Sequence, residues 1–420
     1  MASTIPPEAG GRLWVVSETY TPELTSTGYF LTGIAEGLAR TFSVGAICGQ
    51  PTYAARGIRA PRHERLNGVE VFRVHGTTFD KNHRYLRLVN AATMTLAAGL
   101  EMLARLRRGD VVLVVTNPPT APYVSRLASW IRGARCVLLV HDVYPDALVA
   151  AGMLRDGSIP VRLLAFISRR LLRSMDAICV LGRDMAALIG PRAPRVPVHV
   201  TPNWAGDDVI AALDEPINAL RQSLGLNDRF VVQYAGNIGG VQDIDVLIRA
   251  AVSLRDEAPD VHVLFIGSGR KKAWLKESIR MQHLPNVTVL DERPRAEQSM
   301  FLRACDVAVM TFVPGMWGVG VPSRLYNMLA SGRPVIAAVD PRSEPALVLE
   351  EEQAGWVVPP GDAEALVSAI MQARASADTL KQMGARAALA AKDRYRQDQV
   401  LRIYTAILEP FALRRSTDAV

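Results

Sequence analysis

A cation, an amide and three glycines fall within one short stretch of this chain. In "PGMWGVGVPSRLYNMLASGRP" (314–334), Gly315, Gly318 and Gly320 precede Pro322, Ser323 and Arg324, and Asn327 follows three positions on. Pro322 marks a helix start, where a missing N–H costs nothing. Gly332 reads as the left-handed residue that ends the helix, and Pro334 prevents its return. Arg324 therefore lies in a first turn, where the backbone already carries the equivalent of about half a positive charge. A cation is mildly unfavourable there unless an anion sits between the two. Glycines let the backbone approach a ligand, and free N–H groups at a helix start favour phosphate. Arg324 and Asn327 share a helix face, while Leu325, Met328 and Leu329 can turn to the core. A cation suits a diphosphate and an amide suits ribose hydroxyls. The bland alternative is a solvated arginine beside a glycine-rich loop.

Other loops offer similar chemistry. "YAGNIGGVQD" (234–243) places Gly236, Gly239 and Gly240 after an apolar run, with more freedom than a plain turn needs. "GSGRKK" (267–272) is a weak dinucleotide-like motif in which Gly267 opens a turn and Arg270 could reach a base or phosphate. In "VLLVHDVYP" (137–145), His141 and Asp142 close a buried run. A lone histidine at a strand end otherwise serves structure.

The elements that must position these residues are legible from apolar runs. Before residue 205 they are 12–17, 44–48, 69–74, 111–116, 136–142, 177–181 and 197–201. After it they are 229–236, 261–267, 287–290, 307–313, 334–339 and 355–358. Continuous rather than alternating apolar runs are those of strands buried on both faces. With helical segments between most of them, they predict two doubly wound parallel-sheet α/β domains of Rossmann-like form. The breaker-rich "TPNWAGDDVIAALDEP" (201–216) suits a linker. The expected division is 1–205 and 206–392, with a helix over 393–415 that could pack on either domain. In such sheets ligands bind beyond the carboxyl ends of the strands, where all the residues named above fall.

Composition narrows the class. At 49% hydrophobic and 21% charged, the 420-residue chain is composed like a globular protein. Its first residues lack a signal-peptide pattern, and "LVNAATMTLAAGL" (88–100) is too short to span a bilayer. Four scattered cysteines, each in or beside an apolar run, imply buried thiols in a reducing cytoplasm. No metal-ligand spacing and no Asp-x-Asp motif in a suitable loop appears, so no metal and no cofactor is expected. Residues 1–200 carry 24 Lys+Arg against 14 Asp+Glu, a charge of +10, while the remainder carries −3. Such asymmetry suggests an anionic partner. Signatures of nucleic-acid binding are lacking, which leaves an anionic membrane surface.

The stretch at 314–334, together with "YAGNIGGVQDIDVLIRAA" (234–251), "FIGSGRK" (265–271), "RSEPALVLEEEQAGWVVPPGDAEAL" (342–366) and "VHDVYPD" (140–146), resembles the retaining GT-B glycosyltransferases of family four. It is most similar to the branch that builds capsules, O-antigens and colanic-acid-type exopolysaccharide, over about residues 12–405. The resemblance implies that a nucleotide-sugar, a UDP-sugar first, docks on the second domain and the acceptor on the first. The family's two signature glutamates align with Val319 and Asn327, and its two diphosphate cations with Asn237 and Gln242. The branch that shares "GNIG…Q" carries "PSK" or "PSR" as well, so Ser323 and Arg324 would supply the missing charge, and Asn327 would stand for the ribose-binding glutamate. Glu344 aligns with a glutamate near the donor, though an acidic residue there is also an ordinary cap. His141 and Asp142 would point into the cleft. The loop 17–30 resembles the acceptor loop, with Glu18, Ser26, Thr27 and Gly28 as candidates.

The implied activity is metal-independent glycosyl transfer with retention, to a lipid-linked or glycan acceptor, in bacterial surface polysaccharide synthesis. Rival readings are a non-catalytic binding partner of the same fold, a nucleotide-sugar epimerase and, more distantly, an NAD-dependent oxidoreductase. The basic bias and the segment "VRLLAFISRRLLRSM" (161–175) together imply a cytoplasmic protein peripheral on the inner membrane.

Overall fold

The computed structural model describes residues 11–23, 25–51, 59–77, 79, 84–211 and 219–412. Its first sheet is built from β1 (Leu13–Ser17), β2 (Val44–Cys48), β3 (His63–Leu66), β4 (Val69–Arg73), β5 (Val111–Val115), β6 (Arg135–Val140), β7 (Ala177–Val180) and β8 (Val198–Val200). Their spatial order is β3-β4-β2-β1-β5-β6-β7-β8. All neighbours pair in parallel except β3, which runs antiparallel to β4. The second sheet contains β9 (Phe230–Ala235), β10 (Val261–Ile266), β11 (Val287–Leu290), β12 (Val307–Thr311), β13 (Val335–Ala338) and β14 (Gly355–Val358). It is wholly parallel, in the order β11-β10-β9-β12-β13-β14.

These strands follow from their composition. β5, "VVLVV", is buried at every position, as helices covering both faces of a parallel sheet require. Each fully buried Val or Leu there contributes about 1.5–3 kcal/mol. The apolar runs anticipate every strand but β3, whose burial alternates between exposed and intermediate. That edge strand has one wet face and carries no apolar run to read.

The chain crosses between domains within two residues. Trp204 belongs to the first core and Ala205 to the second. The helix Ala377–Asp393 sends Ala387 and Ala391 into the second core, while Gln397–Ala412 returns to the first with Val400, Tyr404, Ile407 and Leu408. Residues 413–415 of the expected tail helix, and 212–216 of the linker, lie outside the described residues. All four cysteines are free and buried, and burial pushes each thiol up to about 12. No described helix is long and apolar enough to cross a membrane.

Each sheet reverses its winding once, between β1 and β5 and between β9 and β12. The crevice beyond the strands at such a reversal is where this architecture holds ligands. The two crevices face one another. Asp142, after β6, forms an isolated antiparallel bridge with Gly320, and the Val143 amide donates to the Val319 carbonyl at 2.9 Å.

Candidate active site

A cavity of about 300 Å³ opens at the reversal of the second sheet. Its floor is the turn after β9 (Ala235, Gly236, Asn237) and the turn after β10 (Gly267, Ser268). Glu292 and Arg293, beyond β11, and Phe301 form one wall; Arg324 and Asn327 form the other. Gly236 and Gly267 adopt φ +145° and +155°, a region costly for side chains. A Cβ on Gly267 would lie 1.9 Å from the Gly236 carbonyl oxygen. The glycines thus let two strand ends close against each other, their own amides donating to the Ile266 (2.9 Å) and Leu290 (3.3 Å) carbonyls.

Arg324 begins the helix Arg324–Ala330. Its Nη1 donates to the Tyr234 hydroxyl at 2.7 Å, and its guanidinium carbon lies 4.6 Å from that ring's centre. The Tyr234 hydroxyl in turn donates to the Asn237 carbonyl at 2.7 Å. Burial raises the Tyr234 pKa, and the Arg324 charge partly offsets this. Arg324 Nε is buried without a partner, and no carboxylate pairs with this guanidinium among the described residues. A half-buried cation held by a neutral phenol and aimed into a glycine-lined cavity is arranged for an anion.

Several expected donor residues are placed differently. Asn327 does not face outward beside Arg324; it is 4% exposed, because every residue from Leu325 to Ala330 is buried. Its Oδ1 accepts from the Gly206 amide at 2.8 Å, tying the linker to the cavity wall it helps to line. Gly318 lies outside the cavity: its φ of +70° and the nearness of Asp184 and Leu188 make it an interdomain packing residue. Glu344, the first residue of Glu344–Glu351, is committed to Arg183 of the first domain, which reaches it through its backbone N (2.7 Å), Nε (3.0 Å) and Nη2 (3.2 Å). Gln242 does not line the cavity; its Oε1 is buried without a partner and turned toward Gly239. Gly240 and Arg270 are exposed, with an Arg270 Nη2 over Gly240.

Across the cleft, the buried Thr116 hydroxyl accepts from the amides of His141 (3.0 Å) and Asp142 (3.2 Å) and so fixes the end of β6. The His141 ring is enclosed: its Nε2 is buried without a partner, and desolvation pushes its pKa down to about 4. Asp142 keeps contact with solvent, but protein crowding raises its pKa. A Cβ on Gly320 would come within 3.3 Å of Asp142 Oδ1, so this glycine lets the loop pass the acid closely.

The helix Ser26–Leu38 brings the acceptor loop to the same place, with Thr25 Oγ1 accepting from the Gly28 amide as its cap. The hydroxyls of Ser26 and Ser323 lie 2.8 Å apart, one from each domain. Gly28 is explained by packing instead of acceptor contact, since a Cβ there would meet the Glu23 carbonyl oxygen at 2.3 Å. Thr27 and Glu18 flank this region, both partly buried.

Sequence reasoning passed over Tyr234, which reads as an ordinary strand residue, and the cavity residues Ser268, Glu292, Arg293, Gln298 and Phe301. The available signal was position: Glu292 and Arg293 follow β11 as Asn237 follows β9. Arg183, after β7, was missed in the same way.

Known proteins share the sequence pattern and the fold of this chain. The profile described as glycosyl transferases group 1 matches residues 229–375, and the glycosyl transferase 4-like domain matches 27–204. The chain is 32% identical to the probable glycosyltransferase WbjE of Pseudomonas aeruginosa, over 86% of this chain and 88% of that one. It is 27% identical to the putative colanic acid biosynthesis glycosyl transferase WcaI of Escherichia coli, over 86% and 92%. Anabaena HepE, solved in complex with UDP-glucose, superposes with a TM-score of 0.69 at 18% identity, covering 95% of this chain and 99% of that one.

Proposed function

The chain belongs to the glycosyl transferases of group 1, and from that premise we propose that it moves a sugar from a nucleotide-sugar, a UDP-sugar first, to a lipid-linked acceptor in bacterial surface polysaccharide synthesis. The single observation that carries the donor half is Arg324, a cation without a carboxylate partner among the described residues, in a cavity floored by glycine turns at a sheet reversal. A diphosphate fits that combination; HepE was solved with UDP-glucose, and WcaI is named for colanic acid synthesis.

The bond between the anomeric carbon and the diphosphate oxygen breaks, and its electron pair leaves with the diphosphate. Arg324 stabilises the charge that develops there. The acceptor hydroxyl attacks from the same face, so configuration is retained, and its proton passes to the departing phosphate oxygen. This route asks for no bound metal, because Arg324 supplies the positive charge. His141, neutral through the physiological range, and Asp142 would border the sugar from the acceptor side. The first domain would hold the acceptor, at the inner face of the cytoplasmic membrane.

The test is a calorimetric panel of UDP-, GDP- and other nucleotide sugars, followed by turnover with short-chain lipid pyrophosphate acceptors. NMR of the product reads the anomeric configuration. Saturable binding of one nucleotide class and transfer with retention is the expected result. Binding without transfer to any acceptor would instead favour a non-catalytic partner.

A further inference from the structure

Of the 21 large hydrophobic residues that stand exposed among the described residues, 16 fall between Phe79 and Ile167, so the exposed apolar surface is concentrated in the first domain. Fourteen of these lie on three helices, Arg84–Arg105, Ala121–Arg132 and Ile159–Ser174. On the second of these, Tyr123, Leu127, Trp130 and Ile131 are exposed, Trp130 at 70%. On the third, Ile159, Leu163, Phe166 and Ile167 are exposed with the same spacing, i, i+4, i+7 and i+8, which is one face of a helix. The first helix adds Leu88, Leu96 and Leu100. Small residues take the inward positions of the second, including Ala128 and Ser129. These stripes are therefore not core faces.

Topology puts the stripes on one side. The connections β4 to β5, β5 to β6 and β6 to β7 all advance in the same direction across the sheet. Right-handed crossovers then place their three helices on the same sheet face, and Ala121–Arg132 packs against both others. The three helices hold nine arginines and a single acid, Glu101. Arg162, Arg169 and Arg170 are exposed and form no ion pair with a described carboxylate. An open groove of about 620 Å³ beside the third helix is lined by Ile159, Val161 and Leu163 together with Arg162, Arg169 and one acid, Asp156.

We propose that this three-helix face docks on an anionic lipid bilayer, its apolar stripes entering the boundary between headgroups and acyl chains and its arginines meeting lipid phosphates. The proposal deepens the reading of a lipid-linked acceptor and rests on it for its purpose, though not for its physics. A second copy of the chain is the poorer occupant, because a two-fold contact would set this arginine-rich face against itself. Charge alone would give binding that high salt abolishes. Apolar insertion adds a component that salt leaves in place.

The experiment is flotation of the full chain with vesicles of phosphatidylglycerol and phosphatidylethanolamine, compared with phosphatidylcholine vesicles. The variants are Leu127→Glu/Trp130→Glu and Leu163→Glu/Phe166→Glu, with Trp274→Glu in the second domain as a control for an exposed apolar residue elsewhere. The expected result is co-flotation with anionic vesicles that persists in part at 0.5 M salt (order of magnitude well beyond physiological screening). Both double variants should lose at least about tenfold in partitioning, and the control none. Melting temperature and calorimetric nucleotide-sugar affinity should stay unchanged in all variants. No flotation, flotation untouched by the double variants, or a dimer in solution that those variants dissociate would each overturn the proposal. Failure of every nucleotide sugar to bind would sink the donor reading while leaving the flotation result to stand alone.

Discussion

At the scale of single residues, the decisive group is Arg324. Its only described polar partner is a neutral phenol, so its charge is available to a ligand. Arg324→Ala should weaken nucleotide-sugar binding by roughly 1.5–3 kcal/mol, about 10- to 150-fold, as for other charge-assisted contacts. Calorimetry on the variant checks this, and an affinity equal to that of the parent would remove Arg324 from the donor site. His141 makes a second prediction. Its folded pKa, about 4, lies below the value near 6.5 of a free histidine. Between those values the unfolded chain binds the extra proton, so stability is complete above pH 6.5 and falls as the pH drops toward 4. The loss should reach up to ~3 kcal/mol. Urea melts of the parent and of His141→Gln at pH 7 and pH 5 measure it; equal pH slopes would mean that the ring is not desolvated. Arg324 and His141 stand out in the sequence because a cation at a helix start and a polar residue at a strand end break local expectation. Tyr234 was not, because a strand tyrosine breaks no rule.

The secondary-structure elements were almost fully legible, and the reason is burial on both faces. A strand such as β5, buried at all five positions, must be apolar throughout, and that pattern survives in sequence. The half-wet β3 leaves no comparable trace. The same logic explains why Asn327, which shares the cavity wall with Arg324, reads as outward-facing although it is buried. A seven-residue helix buried from Leu325 to Ala330 has no solvent side to which an amide can be assigned by periodicity. The turns that end β9 and β10 allow a contrast between two glycines. Gly267→Ala would press a Cβ into the Gly236 carbonyl, a backbone atom that cannot swing aside, and should cost roughly 1–3 kcal/mol of stability. Gly236→Ala instead meets Arg324 Nη1 at 2.6 Å, the end of a flexible side chain, although its φ of +145° also strains the backbone. It should therefore show the larger loss of donor affinity relative to its loss of stability. Thermal melts and nucleotide titrations of both variants test the order; reversal would mean that Arg324 is not positioned through this turn.

For the whole molecule, sequence conveyed two α/β halves and their charge imbalance but not how the halves are held. Amphipathic spacing identifies helix faces without saying which stay uncovered, and a contact between residues 161 positions apart leaves no local pattern. Arg183, the first residue of the helix Arg183–Ile189 after β7, clasps Glu344 and Glu351 across the cleft, and the Glu344 side chain is 7% exposed. Beside it, Asp184 Oδ2 accepts from the Gly318 amide at 3.2 Å. Burial raises the Asp184 pKa, and the hydrogen bonds it accepts oppose that rise. Because Arg183 is partly exposed, solvent screens the pair, and its worth lies nearer ~1 kcal/mol than the several that a fully buried pair would show on disruption. Such a value is small against the stability of either domain but sufficient to shift an equilibrium between closed and open arrangements several-fold. Arg183→Ala should therefore leave the melting temperature of each domain almost unchanged. It should increase the radius of gyration in small-angle scattering and raise the donor KM with little change in kcat. Glu344→Ala should do the same if its role is to hold Arg183. The double variant separates this role from direct donor contact. If the clasp is the function of Glu344, Glu344→Ala adds nothing in the Arg183→Ala background, and the coupling energy equals the single effect of Glu344→Ala, the smaller of the two because Glu351 still holds Arg183. Were Glu344 instead to touch the sugar, its removal would lower donor affinity further in the Arg183→Ala background. That additivity would return it to the donor site.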